Sequence, residues 1–336
     1  MSVRTKPAET KLVICVFSAF SQWNAKPELP ETIRKRWPQM TVAQVTSYEQ
    51  LPPELPDADI FVGSTLRPPQ LALAKKLQWV HSASAGVGQL TYPEMRNSGI
   101  VLTNASGVFS VPMAEHTMGL MIALARNFPD SIRQQDRSEW SQQKLWDHPQ
   151  QLSELNEKLL LIVGYGSIGR ELAKRAKAFG MRVWGVTRSG KGETTHVERI
   201  LAASELSSAL GQADYVVLCA PESADKKPLV GAAELEKMKR GARLINIGRG
   251  SLLDEAALVA ALESGSLAGA ALDVTETEPL PPTSPLWRAP NLFITPHTSA
   301  VSDRLWHRET ALLLDLLDRW FTNRDLLNVV DFSRGY

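Results

Sequence analysis

Leu159-Leu160-Leu161-Ile162-Val163-Gly164-Tyr165-Gly166-Ser167-Ile168-Gly169-Arg170 sets the architecture of this chain. Five consecutive apolar residues, too short a run for a helix, read as a strand buried on both faces. Glycines at 164, 166 and 169 follow at once, and a helical stretch over 170–179 opens behind them. Such spacings arise by chance, but a strand before and a helix after make them a phosphate-binding turn for a dinucleotide. Gly164 permits the tight turn, Gly166 lets the backbone approach a pyrophosphate, and Gly169 lets helix and strand pack closely. The N–H groups and positive dipole end of the helix N-terminus then hold the anion. Tyr165, Ser167 and Ile168 complete this cofactor-binding turn.

The following strand, 182–187, is where NAD and NADP are told apart. An acidic residue at its end would bond the ribose 2′-hydroxyl of NAD. Here the strand ends in Val186-Thr187-Arg188-Ser189-Gly190-Lys191, with Thr187 at the acidic position. A carboxylate would repel a 2′-phosphate, whereas a guanidinium grips one bidentately. Arg188 and Ser189 therefore point to NADP(H) as the favoured cofactor. NAD(H) stays possible if Arg188 stacks on adenine or is merely solvated.

Outward from this motif, short apolar runs alternate with helical patterns, the rhythm of βαβ units and a parallel sheet. Strands are expected at 12–17, 59–62, 79–81 and 100–102. After residue 105 they are expected at 159–163, 182–187, 215–219, 242–247, 269–274 and 292–294. The last six suit a doubly wound, Rossmann-type dinucleotide fold. Ala220 and Pro221 follow one of these strands, and Ile247 and Gly248 another, as further cofactor-lining positions. One helix opens after Ser110, with Pro112 in its first turn, and runs to about Arg126. A second is expected at 302–321, with Leu305, Leu312, Leu313, Leu316, Leu317 and Trp320 at helical spacing and Glu309 interrupting the stripe. Lying after the last nucleotide strand, it returns the chain to a discontinuous first domain. The expected domains are 1–104 with 299–336, for substrate, and 105–298, for the dinucleotide.

Composition narrows the function. At roughly 150 residues per domain, 336 residues imply two domains. A hydrophobic share of 43% and a charged share of 22% exclude wholesale disorder. Thirty-seven basic against 36 acidic side chains leave a net charge of +1, which argues against nucleic-acid or anionic-membrane partners. Cys15 and Cys219 are the only cysteines. They exclude a disulfide framework, sit in no metal-ligand spacing and favour a reducing, cytoplasmic location. The apolar stretch 12–20 is short and β-branched, a first strand rather than a signal peptide. Residues 97–114 lack charge, but Ser, Asn, Gly and Pro break them up too much for a membrane span.

Three polar residues fall in loops after expected strands, on the side where open α/β sheets bind ligands. Arg249 lies in Asn246-Ile247-Gly248-Arg249-Gly250, Glu278 in Thr275-Glu276-Thr277-Glu278-Pro279, and His297 in Thr295-Pro296-His297-Thr298. A lone histidine after a strand is usually structural; three such groups on one nucleotide sheet suit hydride transfer to a 2-keto acid. Arginine matches a carboxylate and adjacent carbonyl with a planar fork. Histidine titrates near neutrality, so it serves as general acid and, in reverse, as base. A glutamate nearby orients the ring and favours its charged form. Asp273, at the end of the strand before Glu278, is placed to accept a bond from the nicotinamide amide.

These residues stand in segments that together resemble the D-isomer-specific 2-hydroxyacid dehydrogenases over nearly the full chain. GYGSIGRELAKRAKAFGMRV is similar to that family's dinucleotide segment. NIGRGSLLDEAALVAAL, LDVTETEPLP and ITPHTSA are similar to its arginine, glutamate and histidine segments. The resemblance implies catalytic places for Arg249, Glu278 and His297, a flavodoxin-like substrate domain, and a homodimer joined through the nucleotide domains. More loosely, Ser84-Ala85-Gly86-Val87 resembles the loop whose backbone N–H groups cradle the substrate carboxylate. Asn104 and Ala114-Glu115-His116 resemble the hinge and the helix after it, with His116 taken as structural. Three departures stand out: Val111-Pro112-Met113, Thr187 in place of the acid, and Cys219-Ala220-Pro221 in place of a more usual Leu-Pro pair.

Within that family, Glu278 argues against formate oxidation. A chain ending soon after the return helix weighs against a phosphoglycerate-type enzyme. Length and the Thr187-Arg188 pair resemble the glyoxylate/hydroxypyruvate reductases. A non-catalytic NAD(H)-sensing scaffold is the alternative of a different class, and the short flanks weigh against it. Trp140 and Trp146, in an arm before the dinucleotide segment, belong to a dimer core or reach a partner's site.

Overall fold

Runs of branched apolar residues pair as parallel strands wherever both faces can be covered, and this chain makes two such sheets. The computed structural model describes residues 6–140, 142–147, 152–222 and 227–333. The ends of the first expected domain, 1–5 and 334–336, and part of the tryptophan arm, 141 and 148–151, lie outside these described residues. Two units separate, Met1–Phe109 with Val301–Tyr336, and Ser110–Ala300.

The first unit holds β1 (Lys11–Ile14), β2 (Thr41–Gln44), β3 (Ile60–Val62), β4 (Trp79–Ser82) and β5 (Val101–Asn104). Their order, β2-β1-β3-β4-β5, is the flavodoxin-like one. The central strands are buried throughout, from Leu12 to Ile14 and from Ile60 to Val62. β2 was not expected: Thr41-Val42-Ala43-Gln44 is an edge strand with one buried residue, Val42, too little pattern to stand out. The return helix, Leu305–Phe321, starts three residues later than expected. It buries Leu313, Leu316, Leu317 and Trp320, and Trp320 stacks on Trp79 with ring centroids 5.4 Å apart. Glu309 breaks the apolar stripe because its carboxylate meets His81: Oε1 lies 3.0 Å from Nε2 of that fully buried ring. The other ring nitrogen lies 2.9 Å from Thr103 Oγ1.

The second unit holds β6 (Leu159–Val163), β7 (Arg182–Thr187), β8 (Arg199–Ala202), β9 (Tyr215–Leu218), β10 (Arg243–Asn246), β11 (Gly269–Leu272) and β12 (Leu292–Ile294). The order β12-β11-β10-β9-β6-β7-β8 makes seven strands rather than the six expected. The addition is β8, whose Arg199-Ile200-Leu201-Ala202 is half-buried at the sheet edge. Counted within the unit, the order is the doubly wound Rossmann order with one strand added, and it reverses between β6 and β9. Helix Ser110–Ala125 packs against helix Ser167–Ala178 through Ala114, Met118 and Met121 on one side and Leu172, Ala173 and Ala176 on the other. Among the described residues, no helix is long and apolar enough to cross a membrane.

Candidate active site

The turn after β6 is shaped by its glycines. Gly164 has φ +99°, and a Cβ there would fall 2.4 Å from the backbone N of Ala220. Only glycine fits both the conformation and the gap. Gly169 is pressed on Gly164 O and Ile162, at 3.0 and 3.1 Å from its imagined Cβ. Gly166, between them, has nothing within 4 Å among the described residues. It stands at the N-cap of helix Ser167–Ala178, and no side chain there bonds the first turn. A helix start with open N–H groups and an open glycine suits a diphosphate.

Not every residue of the motif faces that opening. Tyr165 turns its ring into the core against Gly185, where an added Cβ would lie 2.6 Å from the ring, and its N–H is donated to Val186 O at 2.9 Å. Ile168 is half-buried against the same core. Ile247 is fully buried and Tyr165 nearly so, so both side chains pack into the core and these two positions offer a cofactor their backbone. Gly248 contributes a close approach instead, with its imagined Cβ 2.9 Å from Ala220 O. The loops after β6, β9 and β10 thus meet backbone to backbone at the point where the strand order reverses. Cys219 Sγ donates to Gly164 O at 3.1 Å, and burial pushes this thiol up to about 12.

At the end of β7, Thr187 Oγ1 donates to Lys191 O at 3.1 Å. Arg188 and Ser189 are exposed in a turn that comes back on β8 through a Ser189–Ala202 bridge, with Gly190 at φ +70°. No carboxylate stands between Thr187 and Gly192.

Beyond β11 and β12, two side chains do come together. His297 Nδ1 lies 2.7 Å from Glu278 Oε2. An ionised carboxylate only accepts, so Nδ1 carries the hydrogen and Nε2 faces away from the pair. The other carboxylate oxygen, Oε1, accepts the Thr275 N–H at 3.1 Å. His297 itself sits at φ +52°, in the left-handed region, with its N–H donated to Asp273 O and Thr295 O.

Asp273 accounts for that backbone. The sequence reading assigns its carboxylate to the nicotinamide amide; the structure turns it inward, 1% exposed. Oδ1 accepts from Thr295 Oγ1 at 2.6 Å and from Thr298 N at 2.9 Å, and Oδ2 accepts from Ser299 N at 3.0 Å. Burial pushes this acid up, but the hydrogen bonds from Ser299, Thr295 and Thr298 outweigh it and hold it below the usual carboxylate range. Asp273 therefore clamps both sides of the His297 turn.

Arg249 is not in the pair. Its Nη1 donates to its neighbour's carbonyl, Gly248 O, at 2.6 Å, and the rest of the fork makes no hydrogen bond among the described residues. Its loop is nonetheless locked to the Glu278 loop: a Cβ on Gly250 would lie 2.0 Å from Thr275 C, and Glu255 Oε1 accepts the Glu276 N–H at 2.6 Å. Glu255 was not foreseen, because its role depends on a loop 21 residues away.

In the first unit, Ser84, Ala85 and Gly86 follow β4. Ser84 Oγ is 2.8 Å from Ser64 Oγ, and Asn104 Nδ2 donates to Ala85 O at 3.0 Å. The tryptophans stand out for exposure rather than burial, Trp140 at 92% and Trp146 at 70%, with Phe128 and Ile132 also exposed nearby in sequence. Among the described residues no cluster of His, Cys, Asp or Glu could hold a metal ion.

Comparison with known proteins agrees with this layout. Residues 118–299, more than half the chain, match the family model for the NAD-binding domain of D-isomer-specific 2-hydroxyacid dehydrogenases. The chain is 33% identical over 268 residues to a D-3-phosphoglycerate dehydrogenase from Methanocaldococcus jannaschii, covering 79% of this chain but only about half of that protein, 50%. It superposes with a TM-score of 0.82 on the crystal structure of a family member from Aeromonas salmonicida, 32% identical, covering 96% of this chain and 99% of the other. It also superposes, with a TM-score of 0.80 at 26% identity, on an NADPH-dependent glyoxylate/hydroxypyruvate reductase from Sinorhizobium meliloti solved with NADP and sulfate, covering 97% and 100%. The fold, the glycine turn and these matches converge: this chain is an oxidoreductase belonging to the D-isomer-specific 2-hydroxyacid dehydrogenases.

Proposed function

We propose that the protein reduces a small 2-keto acid of the glyoxylate or hydroxypyruvate type, with NADP(H) preferred over NAD(H). The observation that carries this is the His297–Glu278 pair, 2.7 Å apart, beyond the C-terminal ends of two strands of a dinucleotide-binding sheet. When bound, the reduced nicotinamide supplies the hydride to the keto carbon. His297 Nε2 delivers the proton that the nascent alkoxide needs, and recovers it in the reverse direction. Glu278 holds the ring by its Nδ1–H and offsets the charge that the imidazole carries when loaded. Arg249 supplies the fork for the substrate carboxylate, and Ser84, Ala85 and Gly86 are the substrate-binding loop of the first unit.

Residues 105–298 hold the dinucleotide and residues 1–104 with 299–336 the substrate. The open helix start at Gly166 fits the diphosphate, and the absence of an acid from Thr187 to Gly192 supports NADP(H), as in the S. meliloti relative. The exposed Trp140 and Trp146 support a homodimer that covers them. Two free cysteines support a reducing, cytoplasmic setting.

The test is steady-state turnover of glyoxylate, hydroxypyruvate and pyruvate, and of 3-phosphoglycerate in the oxidative direction, each with both nicotinamide cofactors. Fastest turnover of glyoxylate or hydroxypyruvate with NADPH is expected. A dominant 3-phosphoglycerate activity would move the protein to the phosphoglycerate type. Cofactor binding with no turnover across the panel would leave the sensing scaffold.

A further inference from the structure

The sequence treats His116 as a packing residue of helix Ser110–Ala125, and the proposed chemistry does not use it. Its surroundings say more. The side chain is 23% exposed, with Nε2 3.0 Å from Thr295 Oγ1 and 3.6 Å from Asp273 Oδ1. A hydroxyl has one proton to give. Thr295 gives that proton to Asp273 Oδ1, at 2.6 Å. It must therefore accept from His116, which fixes the hydrogen of this imidazole on Nε2. Burial pushes His116 down from its ordinary value, against the pull of Asp273, so the neutral ring with that one N–H is the favoured form.

The chain of donors ends at the catalytic turn. His116 Nε2–H points to Thr295 Oγ1, Thr295 O–H to Asp273 Oδ1, and that same carboxylate takes the amides of Thr298 and Ser299. His297 lies between Thr295 and Thr298, in a left-handed conformation that a non-glycine residue holds only when its surroundings impose it.

We propose that His116 is a positioning residue for His297, orienting the Thr295 hydroxyl so that the Asp273 carboxylate keeps the His297 turn in register with Glu278. The inference rests on the acid–base reading of His297 given above. It assigns His116 no contact with substrate.

Two substitutions separate positioning from packing. His116→Leu keeps bulk and removes the donor; His116→Gln restores an N–H near the place of Nε2. For His116→Leu, kcat should fall about 10- to 100-fold, as expected for a slightly misplaced acid, with the KM for glyoxylate little changed. His116→Gln should recover most of the loss. In the protein without cofactor, long-range ¹⁵N NMR of the His297 ring should show one fixed tautomer in wild type and a mixture in His116→Leu. Should His116→Leu fail to fold, Thr295→Val breaks the same chain from its middle and should give the same kcat loss and the same ring signature. Wild-type kcat and wild-type His297 ring signals in either variant overturn the proposal. A wild-type protein that turns over no keto acid would instead defeat the acid–base reading, while the NMR comparison would still decide what His116 does.

Discussion

Asp59 and Asp214 occupy the same place in two different sheets. Each stands just before the strand that pairs with the first strand of its unit, β3 beside β1 and β9 beside β6. Each accepts the N–H of that first strand's opening residue, Asp59 Oδ2 from Lys11 and Asp214 Oδ2 from Leu159, both at 2.9 Å. At their N-terminal ends the two sheets are built alike. At their C-terminal ends they part. The first unit places neutral groups there, the Ser64–Ser84 hydroxyl pair and the Asn104 amide on Ala85. The second places His297, Glu278 and the inward Asp273. A shared scaffold thus says little about chemistry; the loops at one end of it decide.

The widest gap between the two C-terminal ends should appear on removing the acid. His297→Ala is expected to lower kcat by about 10²–10⁴-fold, the range for a lost general acid, in single-turnover reduction of glyoxylate. A loss under tenfold would mean that the proton comes from elsewhere. Next in size is Arg249→Lys, which keeps charge and loses the planar fork. Expected is a fall in kcat/KM of about 10²-fold, as for a misoriented substrate. Normal turnover in this variant would remove the carboxylate clamp from Arg249.

How much of this could be read beforehand follows the same physical lines. β6, β7 and β12 appear in the sequence with their true ends; β6 and β7 show why, since buried branched side chains leave little else for those runs to be. The edge strands β2 and β8 escape notice, since Thr41-Val42-Ala43-Gln44 and Arg199-Ile200-Leu201-Ala202 are short runs opened or closed by polar, charged or small residues, unlike the unbroken Leu292-Phe293-Ile294 of the other edge. His297 and Glu278 were legible as groups following strands. The inward turn of Asp273 was not: it needs Thr295, Thr298 and Ser299, 22 to 26 residues on, folded around one carboxylate. Nor was the partner of Glu309, which lies 228 residues away at His81. Long-range polar pairing leaves no periodic trace, whereas apolar burial does.

On the neutral side of the comparison a milder effect is expected. Asn104 is 7% exposed, its amide holding Ala85 O and its Oδ1 accepting the Ser106 N–H at 3.0 Å. Asn104→Ala should loosen the Ser84–Gly86 loop and raise the KM for glyoxylate about fivefold, equivalent to one hydrogen bond worth ~1 kcal/mol, with kcat less affected. A kcat loss approaching that of His297→Ala would erase the distinction drawn between the two strand ends.

The smallest effect concerns the feature the sheets share, because the two aspartates are shifted in opposite directions. Burial, helped by the nearby carboxylates of Asp57 and Glu9, pushes Asp59 above its ordinary value, the bond from Lys11 N and the Lys76 ammonium falling short of offsetting it. For Asp214, burial is outweighed by the Lys239 ammonium, 2.7 Å away, and the Leu159 amide, so its value is lowered. A lowered acid stabilises the fold above the unfolded value of about 3.9, and that stabilisation is lost as pH falls through the folded value. A raised acid does the reverse: its contribution is present below about 3.9 and lost as pH rises through the folded value, leaving a buried charge as a cost at neutrality. Asp214→Asn should therefore lower Tm at pH 7, and Asp59→Asn, which keeps an acceptor for Lys11 N, should raise it. Each shift should be on the order of 2–4 °C, what ~1 kcal/mol gives in a unit of this size. Both differences should shrink in melts repeated near pH 4. Shifts of the same sign at pH 7 would show that a shared hydrogen bond, and not the charge beside it, sets how each sheet tolerates its aspartate.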